Sequence, residues 1–207
     1  MPSFLGEYAR SAKDKPRKFE RAVASVLSQS FRDFELIIVS DGCEKTFELL
    51  DAMVKNPAYT EAFDKIQAYI IPKQPLWSGK PRNIGILKAQ GEFIVYLDTD
   101  DRYRENYLLE LAESIASGSR HDWYWVNDLR WNKYKGYFAE NHCSIEAKGK
   151  CGTSNIIHRR SLTVFWADNG KYDHDWVMIT KLKQASANHK KLPVLGYEVC
   201  HLPNFVS

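Results

Sequence analysis

Residues 91 to 103 read GEFIVYLDTDDRY. Phe93 to Leu97 make a short, largely apolar run, the pattern of a buried strand. Asp98, Asp100 and Asp101 then set three carboxylates in four positions at its end. Like charges at that spacing repel, so they either splay into water as a polar loop or share a counterion. A hard divalent cation is such a counterion. Mg2+ takes one or two protein carboxylates and completes its shell with water and phosphate oxygens, and Mn2+ accepts carboxylate and imidazole. An Asp-x-Asp at a strand end therefore suits a half-site that a nucleotide diphosphate completes.

The flanking sequence predicts where that strand sits. Phe19, Ala22, Val23, Val26 and Leu27 follow helical spacing within residues 18–29. ELIIVSDG, from Glu35, is a continuous β-branched run that stops at Asp41-Gly42, as a parallel strand covered on both faces would. A helix over residues 46–54, a strand over 65–72 and a helix over 82–90 follow, the last with Pro81 in its first turn and Gly91 at its end. Tyr107, Leu108, Leu111 and Ile115 then share one face of a further helix. This alternation predicts a single α/β domain, with a central, mainly parallel sheet flanked by helices. Ligands of such sheets bind beyond the carboxyl ends of the strands, and both Asp41 and the Asp98–Asp101 group lie there. Residues 1–101 form the nucleotide-binding half of this scheme and residues 102–207 the acceptor side. The second half is rich in aromatics, Trp125, Trp131 and Tyr134 among them, whose flat faces suit sugar rings and core packing equally.

Composition narrows the class. The chain has 207 residues, 44% apolar and 27% charged, with a net charge of +3. That charge is too small to indicate nucleic acid, and no long run of like charges occurs. Lys13, Lys15, Arg17, Lys18 and Arg21 form a basic cluster that reads as a solvated helix end or a contact for phosphates or anionic lipid. Without an 18-residue apolar run or a signal-peptide pattern, a cytoplasmic protein with four reduced cysteines is expected. His142-Cys143, Cys151 and Cys200-His201 lack the spacing of a zinc motif. Neither G-x-x-x-x-G-K-[ST] nor G-x-G-x-x-G occurs, which disfavours P-loop and dinucleotide folds.

QSFRDFELIIVSDG, GKPRNIGILKAQGEFIVYLDTDD and DHDW, in that order, resemble the inverting family 2 glycosyltransferases of the GT-A fold. The resemblance is strong over residues 17–112 and looser beyond. It implies that a nucleotide-diphosphate sugar, a UDP- or GDP-sugar, donates to a hydroxyl on a carbohydrate or lipid-linked acceptor. Mn2+ or Mg2+ would assist, in cell-surface polysaccharide or glycolipid synthesis at the inner membrane face. It further implies that Asp41, which also reads as a turn former before Gly42, binds the base. Pro2 and Phe4 would flank the base, Arg82 would lie near base and diphosphate, and Asn83 would be structural. Asp98 would face the ribose or sugar and Asp100 the metal, with Asp101 assisting through water or starting a helix. His201, in a C-terminal stretch similar to the family's, would sit by the metal or in the core.

An inverting displacement needs a base for the acceptor hydroxyl. The resemblance assigns this to Asp175, with His174 standing where the family usually has Glu and its role left open. Thr153 and Ser154 would line the sugar pocket or pack. The sequence departs from the family at its start: only Met1 precedes Pro2, so the first strand is truncated. A sugar-phosphate nucleotidyltransferase, or a non-catalytic nucleotide- or carbohydrate-binding relative of the fold, are the alternative readings.

Overall fold

The β-branched run after Glu35 is buried along its whole length, as a strand with cover on both faces must be. The computed structural model describes residues 1–7, 13–74, 78–167 and 173–200. It opens with β1 (Pro2–Ser3), α1 (Lys15–Leu27), β2 (Leu36–Asp41) and α2 (Lys45–Val54). A 3-10 segment over Pro57–Lys65 leads to β3 (Ile66–Ile71), α3 (Gly79–Lys88), β4 (Phe93–Val95), β5 (Arg102–Tyr103) and α4 (Tyr107–Ala116). The second half adds β6 (Trp123–Trp125), β7 (Asp128–Asn132), β8 (Tyr137–Asn141), β9 (Ile156–Arg159), α5 (His174–Ala185), β10 (His189–Lys191) and β11 (Tyr197–Val199).

The fold is α/β, as the alternation predicts. Phe19, Ala22, Val23, Val26 and Leu27 all face the core from α1, whose first turn carries a proline. Strands β1, β2 and β3 pair in parallel, in register from Leu36 opposite Ile66 to Asp41 opposite Ile71. A second ladder runs β10-β6-β9-β4, and a third β5-β11-β7-β8. In the second, β9 lies antiparallel between β4 and β6. The first strand is short, as expected, yet it pairs: the Met1 ammonium donates to Ile37 O at 2.8 Å and Val39 N–H to Met1 O at 3.0 Å.

The aromatic stretch divides between roles. Trp123 and Tyr124 are core residues, whereas Tyr134 is 89% exposed beyond the end of β7. Among the described residues no helix is long and apolar enough to cross a membrane.

β9 also buries a titratable group. The His158 ring is fully enclosed; its Nδ1–H donates to Arg159 O at 3.0 Å, which leaves Nε2 to accept from the Tyr96 hydroxyl at 2.7 Å. Burial lowers its pKa from 6.5 to about 4. The unfolded chain therefore takes up this proton first as pH falls, so stability declines from about pH 6.5 down to about pH 4. The shift corresponds to about 3 kcal/mol. Replacement by glutamine keeps the site neutral. His158→Gln is expected to lose about 2 kcal/mol less than wild type between pH 7 and pH 4.5 in urea unfolding, and identical pH dependence of the two would contradict this account.

Candidate active site

The carboxyl end of β2 is assembled first. Asp41 is buried; its Oδ1 accepts the Gln74 N–H at 2.7 Å and its Oδ2 the Lys73 ammonium at 2.7 Å. Gly42 makes this possible. Its φ is +66°, and a Cβ there would lie 2.7 Å from the Lys73 backbone nitrogen, so only glycine lets the segment after β3 close onto the strand end. The same ammonium lies 4.3 Å from the centre of the Phe4 ring, just after β1. Phe4 and Asp41, far apart in the sequence, thus meet through Lys73, while Pro2 is buried within β1. Lys73 carries no motif and was not identifiable in advance.

Beyond β4 the three clustered carboxylates take three different environments. Asp98 Oδ1 accepts Arg82 Nη2 at 2.7 Å. Arg82, on α3, is only 6% exposed, and its Nε and Nη1 have no hydrogen-bond partner among the described residues. Burial alone would lower the guanidinium's pKa, but Asp98, and then Asp175, outweigh it and raise it. The Arg82 guanidinium carbon lies 4.8 Å from the Trp166 ring centre. Asp100 stands half-exposed in the turn, where its backbone carbonyl accepts Arg21 Nη2 at 2.7 Å. Asp101 turns inward instead. It accepts the Tyr197 hydroxyl at 2.8 Å and the Cys200 N–H at 2.6 Å, and Tyr197 Oη in turn accepts the Asp98 N–H at 3.1 Å. Burial, then repulsion from Asp100 and Asp98, push its pKa well above the ordinary carboxylate value, while the two hydrogen bonds pull the other way. Asp101 therefore braces the turn against β11.

Asp175 lies in the first turn of α5. Its Oδ1 accepts the Thr153 hydroxyl at 2.7 Å and sits 3.3 Å from His174 Nε2. Its Oδ2 has no hydrogen bond among the described residues, the condition a proton acceptor requires. The His174 ring packs 5.9 Å from that of Trp166. Trp166 is fixed from α3: Asn83 Nδ2 donates to Trp166 O at 3.0 Å, and Trp166 N–H donates to Asn83 Oδ1 at 2.7 Å. The structural reading of Asn83 is thereby explained.

Arg82, Asp98 and Asp175 thus form one electrostatic group, and Phe4 and Asp41 another at the neighbouring strand end. His201 lies outside the described residues. Among those described, no three His, Cys, Asp or Glu side chains gather as a metal site. Burial raises the Cys143 thiol to about 11 and that of Cys200 to about 12, so both rest as thiols. What remains is a donor set of one or two carboxylates, which fits a hard cation only when substrate oxygens complete its shell. Asn83→Ala, which leaves two Trp166 backbone groups unpartnered, is expected to cost about 1–3 kcal/mol in chemical denaturation; unchanged stability would refute the bracing role.

The fold resembles solved structures closely. The Staphylococcus aureus TarS fragment 1–349 superposes with a TM-score of 0.73 at 17% identity, over 96% of this chain and 58% of that one; that fragment has also been solved in complex with UDP-GlcNAc. The mannosyltransferase PcManGT from Pyrobaculum calidifontis, in complex with GDP-Man and Mn2+, gives 0.67 at 13% identity, over 98% and 56% of the two chains. At such identities the likeness is one of fold. In sequence, the chain is 26% identical over 103 residues to the GalNAc(5)-diNAcBac-PP-undecaprenol beta-1,3-glucosyltransferase of Campylobacter jejuni, covering 49% of this chain and 31% of that protein. It is 30% identical over 96 residues to the poly(ribitol-phosphate) beta-N-acetylglucosaminyltransferase TarP of Staphylococcus aureus, covering 45% and 28%. The chain thus spans about a third of the length of these curated relatives. The Glycosyl transferase family 2 model matches residues 12–166, well over half of the sequence and ending on the tryptophan beneath Arg82, and the chain belongs to that family.

Proposed function

We propose that this chain transfers a sugar from a UDP- or GDP-sugar to an acceptor hydroxyl with inversion, assisted by Mn2+ or Mg2+. The observation that carries the reading is the grouping of Arg82, Asp98 and Asp175: a charged guanidinium with two buried, unpartnered N–H groups beside a carboxylate whose Oδ2 is open. The complexes of TarS with UDP-GlcNAc and of PcManGT with GDP-Man and Mn2+ support the donor class. The undecaprenol-linked and poly(ribitol-phosphate) substrates named for the curated relatives support a carbohydrate or lipid-linked acceptor, in polysaccharide or glycolipid assembly at the cytoplasmic membrane face.

Each residue then has a task. Asp41 receives the N–H of the base, with Pro2 and Phe4 flanking it. The Lys73 ammonium donates to Asp41 Oδ2 and holds the carboxylate in place at the strand end. Arg82 directs its unpartnered N–H groups toward diphosphate oxygens, and Asp98 both holds Arg82 and orients the ribose or sugar. Asp100, with His201, would hold the divalent ion, which when bound neutralises charge on the departing diphosphate. Asp175 Oδ2 takes the proton of the acceptor hydroxyl. The deprotonated acceptor oxygen forms the new bond to the anomeric carbon as the bond to the diphosphate oxygen breaks, and the nucleoside diphosphate leaves with the electron pair. Thr153, by donating to Oδ1, leaves Oδ2 as the basic oxygen.

The test combines binding with turnover. A thermal-shift panel of UDP- and GDP-sugars, with and without Mn2+, should find one donor that stabilises the wild type only with the metal. Asp175→Asn should retain that shift while its kcat for transfer falls at least about a hundredfold. No nucleotide-dependent shift at all would support a non-catalytic relative of the fold, and wild-type turnover in Asp175→Asn would reject the base assignment.

A further inference from the structure

Gly152 is a glycine that its own backbone does not require. It precedes the 3-10 turn Thr153–Asn155 with φ −115° and ψ −173°, extended values that any residue adopts, whereas Gly42 is left-handed. A Cβ on Gly152 would meet nothing closer than 3.7 Å, which is ordinary contact, so no neighbour excludes a side chain either. What surrounds that position is polar. Its three nearest atoms are all side-chain oxygens: Asn155 Oδ1 at 3.7 Å, Asp175 Oδ2 at 3.8 Å and Ser154 Oγ at 3.8 Å.

These oxygens differ in how far they are committed. Asn155 is fully buried; its Oδ1 accepts the Gly152 N–H at 2.7 Å, and its carbonyl accepts the Val126 N–H at 3.0 Å, which ties the turn to the end of β6. The Ser154 hydroxyl has Asp128 Oδ2 and Asn155 Oδ1 as acceptors, both at 3.4 Å, the outer edge of hydrogen bonding. Thr153 occupies Asp175 Oδ1 and leaves Oδ2 open. Gly152, Ser154 and Asp175 are partly exposed, while Thr153 and Asn155 are buried. The turn thus sets one bare Cα between a weakly bonded hydroxyl and an open carboxylate oxygen, on a buried footing.

We propose that Gly152, Ser154 and Asp175 form the seat for two adjacent hydroxyls of the acceptor, a vicinal diol such as a sugar ring or a polyol carries. The proposal rests on the reading of Asp175 as the base. The attacking hydroxyl donates to Asp175 Oδ2, and its neighbour accepts from Ser154 Oγ. Two oxygens within 3.8 Å of one point can be bridged by neighbouring hydroxyls through hydrogen bonds of about 2.8 Å. The carbons that carry them rest on the Gly152 Cα, so the missing side chain sets how closely the acceptor approaches the base. An acceptor with one isolated hydroxyl lacks the second contact.

The full chain is titrated with methyl β-D-glucopyranoside, methyl β-D-galactopyranoside and erythritol, which carry adjacent hydroxyls, and with isopropanol, which carries one. The Gly152, Ser154 and Asp175 amides are followed by nuclear magnetic resonance. At least one diol probe is expected to move these amides saturably, and isopropanol at equal concentration is not. Gly152→Ala should melt at or above the wild-type temperature, because alanine restricts the unfolded chain. It should keep any nucleotide-dependent thermal shift and bind that probe at least about tenfold more weakly. Ser154→Ala should weaken binding about fivefold, and Ser154→Thr, which retains the hydroxyl, should keep most of it. Unaltered probe binding in Gly152→Ala, an equal response to isopropanol, or no response to any diol would overturn the proposal. Probe binding in a chain that shows no nucleotide-dependent shift would support the seat while rejecting the donor reading.

Discussion

The arrangement at the strand ends depends on the ion pair between Arg82 and Asp98. Burying a guanidinium is costly, and it persists only where a partner carboxylate and good hydrogen bonding offset desolvation. Here Asp98 accepts directly at 2.7 Å, Trp166 lies against the flat face, and Asp175 adds its field from α5. One side chain on α3 therefore couples the end of β4 to the start of α5. Two of its N–H groups have no partner among the described residues. Breaking a buried pair by removing one partner typically costs about 3–5 kcal/mol; with the Asp98 side chain about a third exposed, the cost here belongs at or below the low end of that range.

Three carboxylates in four residues become tolerable because they part company. Asp98 is neutralised by Arg82, and the turn carrying Asp100 is held by Arg21 through its carbonyl. Asp101 leaves the group altogether, turning inward to Tyr197 and the Cys200 amide. The repulsion that the spacing implies is thus relieved by geometry, and Asp100 stays half-exposed in the turn after β4. The neighbouring edge is governed by backbone: a left-handed Gly42 lets Lys73 reach Asp41.

Local pattern was legible and distant pairing was not. The apolar spacing of α1, the β-branched run of β2 and the proline in the first turn of α3 each express a physical preference within a few residues, and each element formed where expected. The carboxylates at the ends of β2 and β4 were readable for the same reason, since strand ends follow from strand pattern. By contrast, Tyr197 meets Asp101 across 96 residues, and Trp166 meets Asn83 across 83. No single-sequence periodicity encodes such contacts, so the bracing contacts of Asp101 were not readable. Lys73 was missed because its role arises from a backbone approach that only the folded chain creates. The position of Asp175 could be aligned, but its orientation by Thr153 became visible only once β9 and α5 were packed together.

The central claim is that the carboxylate turn after β4 and Arg82 together hold a metal-complexed nucleoside diphosphate. Electron paramagnetic resonance of Mn2+ tests it most directly, because bound ion loses the sharp signal of the hydrated ion. On titration into this protein, the signal should persist with protein alone, fall when UDP or GDP is added beyond what the nucleotide itself removes, and recover in Asp100→Asn. Full binding of Mn2+ without nucleotide, or undiminished nucleotide-linked binding in Asp100→Asn, would contradict the account.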